Sequence, residues 1–176
     1  MPFARRSRTV PVIESDDADA CREAALRLLE RSRRTRSDLT RRLRDKGFGA
    51  ATIESVLMRL AGVGLVDDVE FARAWLAGRW GRRPAGIRRL EQGLRARGVP
   101  VGDVAEARLR LEAEQGAVDE VTAARRAIAQ AERRLRSLDE RVRRRRLYAL
   151  LMRRGFDGDT IERALGAAGD EEREPE

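Results

Sequence analysis

Three times along the chain the same ladder of apolar positions appears. It reads Leu39, Leu43, Gly47, Phe48, Ile53, Val56; then Leu90, Leu94, Gly98, Val99, Val104, Ala107; then Leu147, Leu151, Gly155, Phe156, Ile161, Ala164. In each copy two leucines four apart lie on one face of a helix. A glycine follows after four more residues, where a helix ends readily in a left-handed residue. The apolar residue after it can fold back onto the last turn, and a second helix then begins with its own apolar face. Neither helix is apolar enough to stand alone. Identical spacing in three copies is the mark of tandem repeats that bury their faces against one another.

The pattern predicts about nine helices in three groups of three. The first runs from Asp19 to Ser32, with Ala24, Ala25, Leu28 and Leu29 inward. Ser37 caps the second, which stops at Gly47. The third covers Ala50 to Ala61 and ends in Gly62-Val63-Gly64. Leu65 and Val66 then lead into a helix capped by Asp67, with Asp68 and Glu70 in its positive first turn. That helix carries Phe71, Ala72, Trp75 and Leu76 on one stripe and is expected to be the most deeply packed. Pro84 suits the first turn of the fifth helix, which runs to Gly98. Pro100 opens the sixth, which continues to Gln115. The seventh covers Asp119 to Arg134. Ser137 and Glu140 fit a capping box for the eighth, which ends at Gly155, and the ninth covers Asp159 to Ala168. The expected fold is all-α, an elongated, curved array of three tandem three-helix repeats. Its parts are a flexible arm (1–17), repeats at 18–64, 65–116 and 117–168, and an acidic tail (169–176).

Composition agrees with small modules. Aromatic residues make up 4% of the chain and charged residues 39%, thin material for one large core. Net charge is +8, which favours polyanions or an acidic surface on a partner. Of 38 basic residues only Lys46 is lysine, so the choice of arginine partly reflects codon usage; the sign of the charge stands regardless. One cysteine, Cys21, allows no internal disulfide and fits a reducing cytosol. No apolar run of about 18 residues is present, so no membrane span is expected, and the expected location is the cytoplasm.

Catalytic chemistry is poorly supplied. With no histidine, the commonest general base and metal ligand is missing. There is no phosphate-binding glycine loop, and Cys21 alone makes no zinc site. Asp67 and Asp68 are adjacent on a helix and do not point together, so capping is their role. The expectation is a protein that is not an enzyme, with no cofactor and no metal.

The charge is unevenly placed. Residues 31–46 carry eight basic side chains against two acidic, residues 79–110 nine against three, and residues 125–154 twelve against three. Repeating modules would line these up as stripes. Candidate contacts are Arg33, Arg34 and Arg36 in the first repeat and Arg79, Arg82, Arg83, Arg88, Arg89 and Arg95 in the second. Arg143, Arg144 and Arg145 are the candidates in the third. A charge run is also what a solvated helix face looks like, and Arg143–Arg146 wrap the whole helix. The group from Arg79 to Arg89 flanks a Gly/Pro turn beside Trp80, so its backbone should be held in place. Trp80 is the one candidate for base stacking, since Phe71 and Trp75 are read as core. No recognition helix stands out.

The second repeat resembles a known family, the RecX regulatory proteins that modulate the RecA recombinase. The resemblance lies in Gly64-Leu65-Val66-Asp67-Asp68, Phe71-Ala72, Trp75, Arg79, Gly86-Ile87 and the Leu90, Leu94, Gly98-Val99 ladder. Size, basic charge and the three repeats are also similar to that family, over about residues 20–168. The resemblance implies a monomer that binds the RecA filament in its groove on single-stranded DNA, touching the DNA directly or through RecA. It implies inhibition of ATPase, strand exchange and co-protease activity. Gly64, Leu65, Asp67, Asp68, Phe71, Ala72, Trp75 and Gly98 are its structural signature here. A general DNA- or RNA-binding repeat protein and a non-enzymatic scaffold are the alternative readings.

Overall fold

The computed structural model describes residues 16–116 and 119–171, and only the backbone at residues 80–82 and 167–171. Almost all of the expected N-terminal arm and the end of the acidic tail fall outside the described residues. Among the described residues the chain forms nine α-helices and no strand. They are α1 (Ala18–Arg31), α2 (Arg36–Asp45), α3 (Ala50–Gly62), α4 (Asp68–Arg82) and α5 (Ile87–Arg95). Then follow α6 (Val101–Gln115), α7 (Glu120–Leu135), α8 (Glu140–Arg153) and α9 (Gly158–Glu171). In each repeat the first helix packs against the third: α1 on α3, α4 on α6, α7 on α9. Each repeat has its own core. The first centres on Leu39, Leu43, Ile53 and Leu57, the second on Leu76, Leu90, Leu94 and Val104, the third on Leu147, Leu151, Ile161 and Ala164. After Asp67 the chain divides into two compact units, the first holding one of these cores and the second the other two.

The glycine of the ladder performs the same task three times. Gly47, Gly98 and Gly155 have φ of 90°, 77° and 83°. At each, the amide of the next residue donates to the carbonyl of the second ladder leucine: Phe48 to Leu43 (3.3 Å), Val99 to Leu94 (3.2 Å) and Phe156 to Leu151 (3.2 Å). The glycine amide donates one turn back, to Arg44, Arg95 and Met152. This six-to-one and five-to-two pair closes orphan carbonyls and requires a residue comfortable at positive φ. It also swings the apolar residue back toward the core. Val99 and Phe156 are buried, and Phe48 is half-buried against the first core. Truncating a fully buried rung such as Leu94 to Ala should cost about 2–5 kcal/mol.

The second helices differ at their starts. Thr35 caps α2, its side chain accepting from the Asp38 amide at 3.1 Å, four residues before Leu39. Gly86 occupies the same place before α5, four residues ahead of Leu90. In α8 the cap is Asp139, eight residues ahead of Leu147. The third repeat therefore has one extra helical turn, Glu140–Arg143, in which the arginine run begins.

Gly86 is glycine because backbone passes too close for anything else. A Cβ there would lie 1.9 Å from the Gly155 carbonyl oxygen, and one on Gly155 would lie 2.6 Å from the Cβ of Arg89. The approach lets the Gly86 amide donate to the Arg154 carbonyl at 3.0 Å. Losing the cap side chain leaves the first amides of α5 without a local acceptor. Glu120, from the start of α7, supplies one: its carboxylate accepts from the Ile87 amide at 2.7 Å. Arg154 reaches back to the Pro84 carbonyl at 3.4 Å. The second and third repeats thus join through backbone contact.

Four expectations need correction. Ser37 lies inside α2, and Thr35 takes the cap because its hydroxyl is the one placed over the free amides. Ser137 likewise yields to Asp139, which accepts from the Arg141 and Val142 amides. Pro84 is not in the first turn of α5; it is fully buried in the segment before Gly86, because α5 does not begin until Ile87. Phe71 and Trp75 pack against the second core but are only half-buried, and the fully buried part of the α4 stripe is Ala72 and Leu76.

Candidate nucleic-acid and partner interface

Several arginines of the first unit pair with neighbouring carboxylates. Asp38 sits in the first turn of α2 and holds three of them. Arg34 reaches it at 2.9 Å and Arg42 at 2.8 Å, and Arg41 also pairs with it. Burial pushes the Asp38 carboxyl up, but the hydrogen bonds from Arg42, Arg34 and Arg41 outweigh that and hold it at about 2. Arg34 also donates to the Leu28 carbonyl at 3.0 Å, tying the end of α1 to α2. Arg36 bridges to Glu54 of α3 at 2.5 Å. Arg33 is exposed. Arg34 and Arg36 tie elements of the first repeat together, and Arg41 and Arg42 are paired within α2.

In the second unit the arrangement is opposite. Arg79 projects from α4, Arg83 follows directly after its end, and Arg89 stands in the first turn of α5. They meet at one open cleft of about 410 Å³, lined also by Trp75, Gln92, Gly93 and Arg97 and, among the described residues, by no carboxylate. Among the described residues no acidic side chain pairs with Arg79, Arg83 or Arg89. The Trp75 ring carries two guanidinium groups, Arg79 at 4.8 Å from its centroid and Arg97 at 5.2 Å. Each contact of this kind contributes about 0.5–1 kcal/mol at an exposed site. The far edge of the indole rests on Gly93, where a Cβ would come within 3.0 Å of Trp75 Cη2. A second hollow, of about 470 Å³, lies beside the same Trp75, Arg79 and Arg83 and is bordered by Gly78.

Sequence reasoning missed Trp75 and Arg97. Trp75 follows Phe71 by four residues and was read as a core position with it. The spacing that would have found it is Trp75 to Arg79, also four residues on one helix face. Arg97 stands one residue before the left-handed Gly98, where the chain turns out of α5.

The other predicted residues fall in separate places. Arg88 is exposed and near Asp157, whose carboxyl lies below the ordinary range mainly because the Thr160 amide and hydroxyl bond to it, with Arg88 adding attraction. Arg95 is 3.7 Å from Glu91. Arg144 bridges to Glu162 of α9 at 3.0 Å. Arg143 borders a hollow with Arg133 and Arg136. Arg145 is exposed with no carboxylate partner among the described residues. The side chain of Arg82 and that of Trp80 lie outside the described residues. A groove between α7 and α8 brings together Arg134, Arg146, Arg153 and Arg154, none of them a sequence candidate. Arg154 is the most enclosed of these, and its burial lowers its pKa from the ordinary value.

Of the signature residues, Gly64 has φ of 73° and ends α3, with the Leu65 amide bonded to the Leu60 carbonyl at 2.9 Å. Leu65 itself is 51% exposed and belongs to no core. Asp67 and Asp68 stand at the start of α4. Among the described residues no cluster of acidic, cysteine or histidine side chains could hold a metal. Among the same residues no helix is long and apolar enough to cross a membrane.

The fold and this surface define a class: an all-α tandem-repeat protein with an arginine-lined cleft and no catalytic constellation among its described residues. Comparison with known proteins gives the family. The description "RecX, first three-helix domain" matches residues 21–60, the second domain matches 67–107, and the third matches 119–165. The chain belongs to the RecX family. Relatives named regulatory protein RecX include one from Streptomyces coelicolor, 35% identical, covering 90% of this chain and 82% of that protein. Another, from Halorhodospira halophila, is 38% identical and covers 89% of this chain and 92% of that protein. The crystal structure of RecX from Lactobacillus salivarius has the same fold, with a TM-score of 0.73 at 19% identity. It covers 88% of this chain and 97% of that one.

Proposed function

We propose that this chain is a negative regulator of the RecA recombinase. It binds in the groove of the RecA filament on single-stranded DNA and inhibits ATPase, strand exchange and co-protease activity. The observation that carries this reading is the succession of all three RecX three-helix domains along the chain. The arginines around the α4–α5 cleft support it. A surface of guanidinium groups without carboxylate partners attracts a polyanion and orients it at distance. The protein works as a monomer in the cytoplasm, by occupying surface and not by turning over a substrate.

The direct test is the single-stranded-DNA-dependent ATPase of RecA from the same organism, titrated with this protein. Inhibition at well under one molecule per RecA is the expected result. An unchanged ATPase, with the protein still coating free DNA, would replace this reading with that of a general nucleic-acid-binding repeat protein. Such a protein would bind DNA tightly without RecA, with a steep salt dependence.

A further inference from the structure

The cleft beside Trp75 has features that backbone attraction alone does not call for. Its arginines are enough to hold phosphates, yet they surround an aromatic ring that the core leaves half open. Gly78 borders the second hollow beside the ring. Gly93 lets the indole edge settle on α5, with its faces turned to the two guanidinium groups. Arg97 is exposed and donates to the Gly93 carbonyl at 2.6 Å.

We propose that this cleft is a base-stacking site for single-stranded DNA. One unpaired base displaces the Arg97 guanidinium and lies on the Trp75 indole. The phosphates on either side of it rest on Arg79, Arg83 and Arg89, and Gln92 stands at the edge of the cleft within reach of the base. A base stacked on an aromatic ring is worth more than an exposed guanidinium on the same ring, so the exchange runs toward bound DNA. Arg97 is not lost in the exchange, since it gains a phosphate partner. Stacking tolerates any base, because every base has a π face, and this suits a protein acting on DNA of arbitrary sequence. Duplex DNA keeps its bases stacked on one another and cannot offer this contact. The proposal deepens the reading of the chain as a regulator of DNA-bound RecA, by making its contact with DNA a direct one.

The test uses the full chain carrying Trp80→Phe, which leaves Trp75 as the single tryptophan. Two probes of equal charge are compared without RecA: an oligothymidylate of about 15 nucleotides and an abasic strand of the same length. Oligothymidylate should quench Trp75 fluorescence and bind about tenfold tighter than the abasic strand. Adding Trp75→Leu should abolish that preference while leaving the slope of affinity against salt unchanged, because the phosphate contacts remain. Trp75→Phe should restore part of it. Far-UV circular dichroism checks that each variant is still helical. Equal binding of the two strands by the parent, or a preference that survives Trp75→Leu, overturns the proposal. The RecA ATPase titration fails separately: an unaffected ATPase beside an intact preference for bases would remove the proposed regulation and leave the stacking site standing.

Discussion

The segment around α2 and the segment joining α4 to α5 look alike as sequence, and the structure makes opposite things of them. Both are rich in arginine and poor in acid. In the first, Asp38 is placed one turn from Arg34 on one side and Arg42 on the other, and Glu54 comes across from α3 to Arg36. Arg34 and Arg36 thereby tie neighbouring elements together, and Arg42 is held within α2. In the second, Glu91 is the acid within α5, and it faces Arg95 and Arg108, away from the cleft. Arg79, Arg83 and Arg89 have no acidic partner among the described residues. Local charge count therefore says little about binding; the position of each carboxylate, a turn away or not, decides whether an arginine builds the fold or remains available.

The largest effect expected from this contrast is on DNA binding. Arg79→Glu with Arg83→Glu should weaken single-stranded DNA about 100-fold at moderate salt and lower the salt slope by about 2. The matched change in the first unit, Arg41→Glu with Arg42→Glu, alters net charge equally and should cost less than about tenfold. Fluorescence anisotropy at several salt concentrations separates the two. Equal losses would mean that total charge governs binding and that the contrast is empty. A stability effect comes next. Asp38→Ala leaves the largely buried Arg34 without its carboxylate and should lower stability by about 2 kcal/mol in urea unfolding, with DNA affinity unchanged.

Much of this was legible in the sequence, and the limits have physical causes. The ladder of leucines and glycines is local, so helix order, the left-handed turns and the three cores followed from spacing alone. Caps were harder. Ser37 and Ser137 each stand two residues from a better acceptor, and choosing among Thr35, Ser37, Ser137 and Asp139 depends on where the first turn starts. Pro84 and Gly86 were misjudged or unexplained for a different reason: their conformation is set by Gly155 and Arg154, about 70 residues away in the chain. Trp75 shares a stripe with Phe71, Ala72 and Leu76, and that spacing predicts a core position; the ring does pack against the second core, but only half-buried, with its edge on Gly93 and two guanidinium groups over it.

The Asp38 cluster also predicts a pH dependence that the α4–α5 cleft should lack. The folded carboxyl titrates at about 2, below the ordinary 3.8. A depressed pKa stabilises the fold above the unfolded value and ceases to do so as pH falls through the folded one. Stability should hold from neutral pH to about 5 and decline between about 4 and 2, Asp38 accounting for about 1 kcal/mol after solvent screening. Asp119 and Asp157, bonded to Thr122 and to the Thr160 amide, shift in the same direction and add to the same window. Asp38→Asn should flatten this acid limb in urea titrations. An unaltered limb would transfer the effect to the other two aspartates.

The smallest effect sharpens the contrast at its centre. Gly93 lies within α5, where Ala would improve helix stability by about 1 kcal/mol if nothing opposed it. The added methyl would stand 3.0 Å from Trp75 Cη2, so the indole must retreat by a few tenths of an ångström. It can do so on the side where guanidinium groups and open cleft border it, since the ring is only half-buried against the second core. The two terms offset, and Gly93→Ala should change stability by less than about 0.5 kcal/mol. The ring, however, will no longer sit as it did against Arg79 and Arg97. Its near-UV circular dichroism should change, and affinity for single-stranded DNA should fall by about threefold. The equivalent glycine-free stretch of α2, Asp38–Leu43, offers no ring to move, so substitutions at exposed Arg41 should leave both signals as they were. A loss of stability at Gly93→Ala well beyond that range would mean that Trp75 is held rigidly, and that the cleft is packing left slightly open and not a surface built to receive a base.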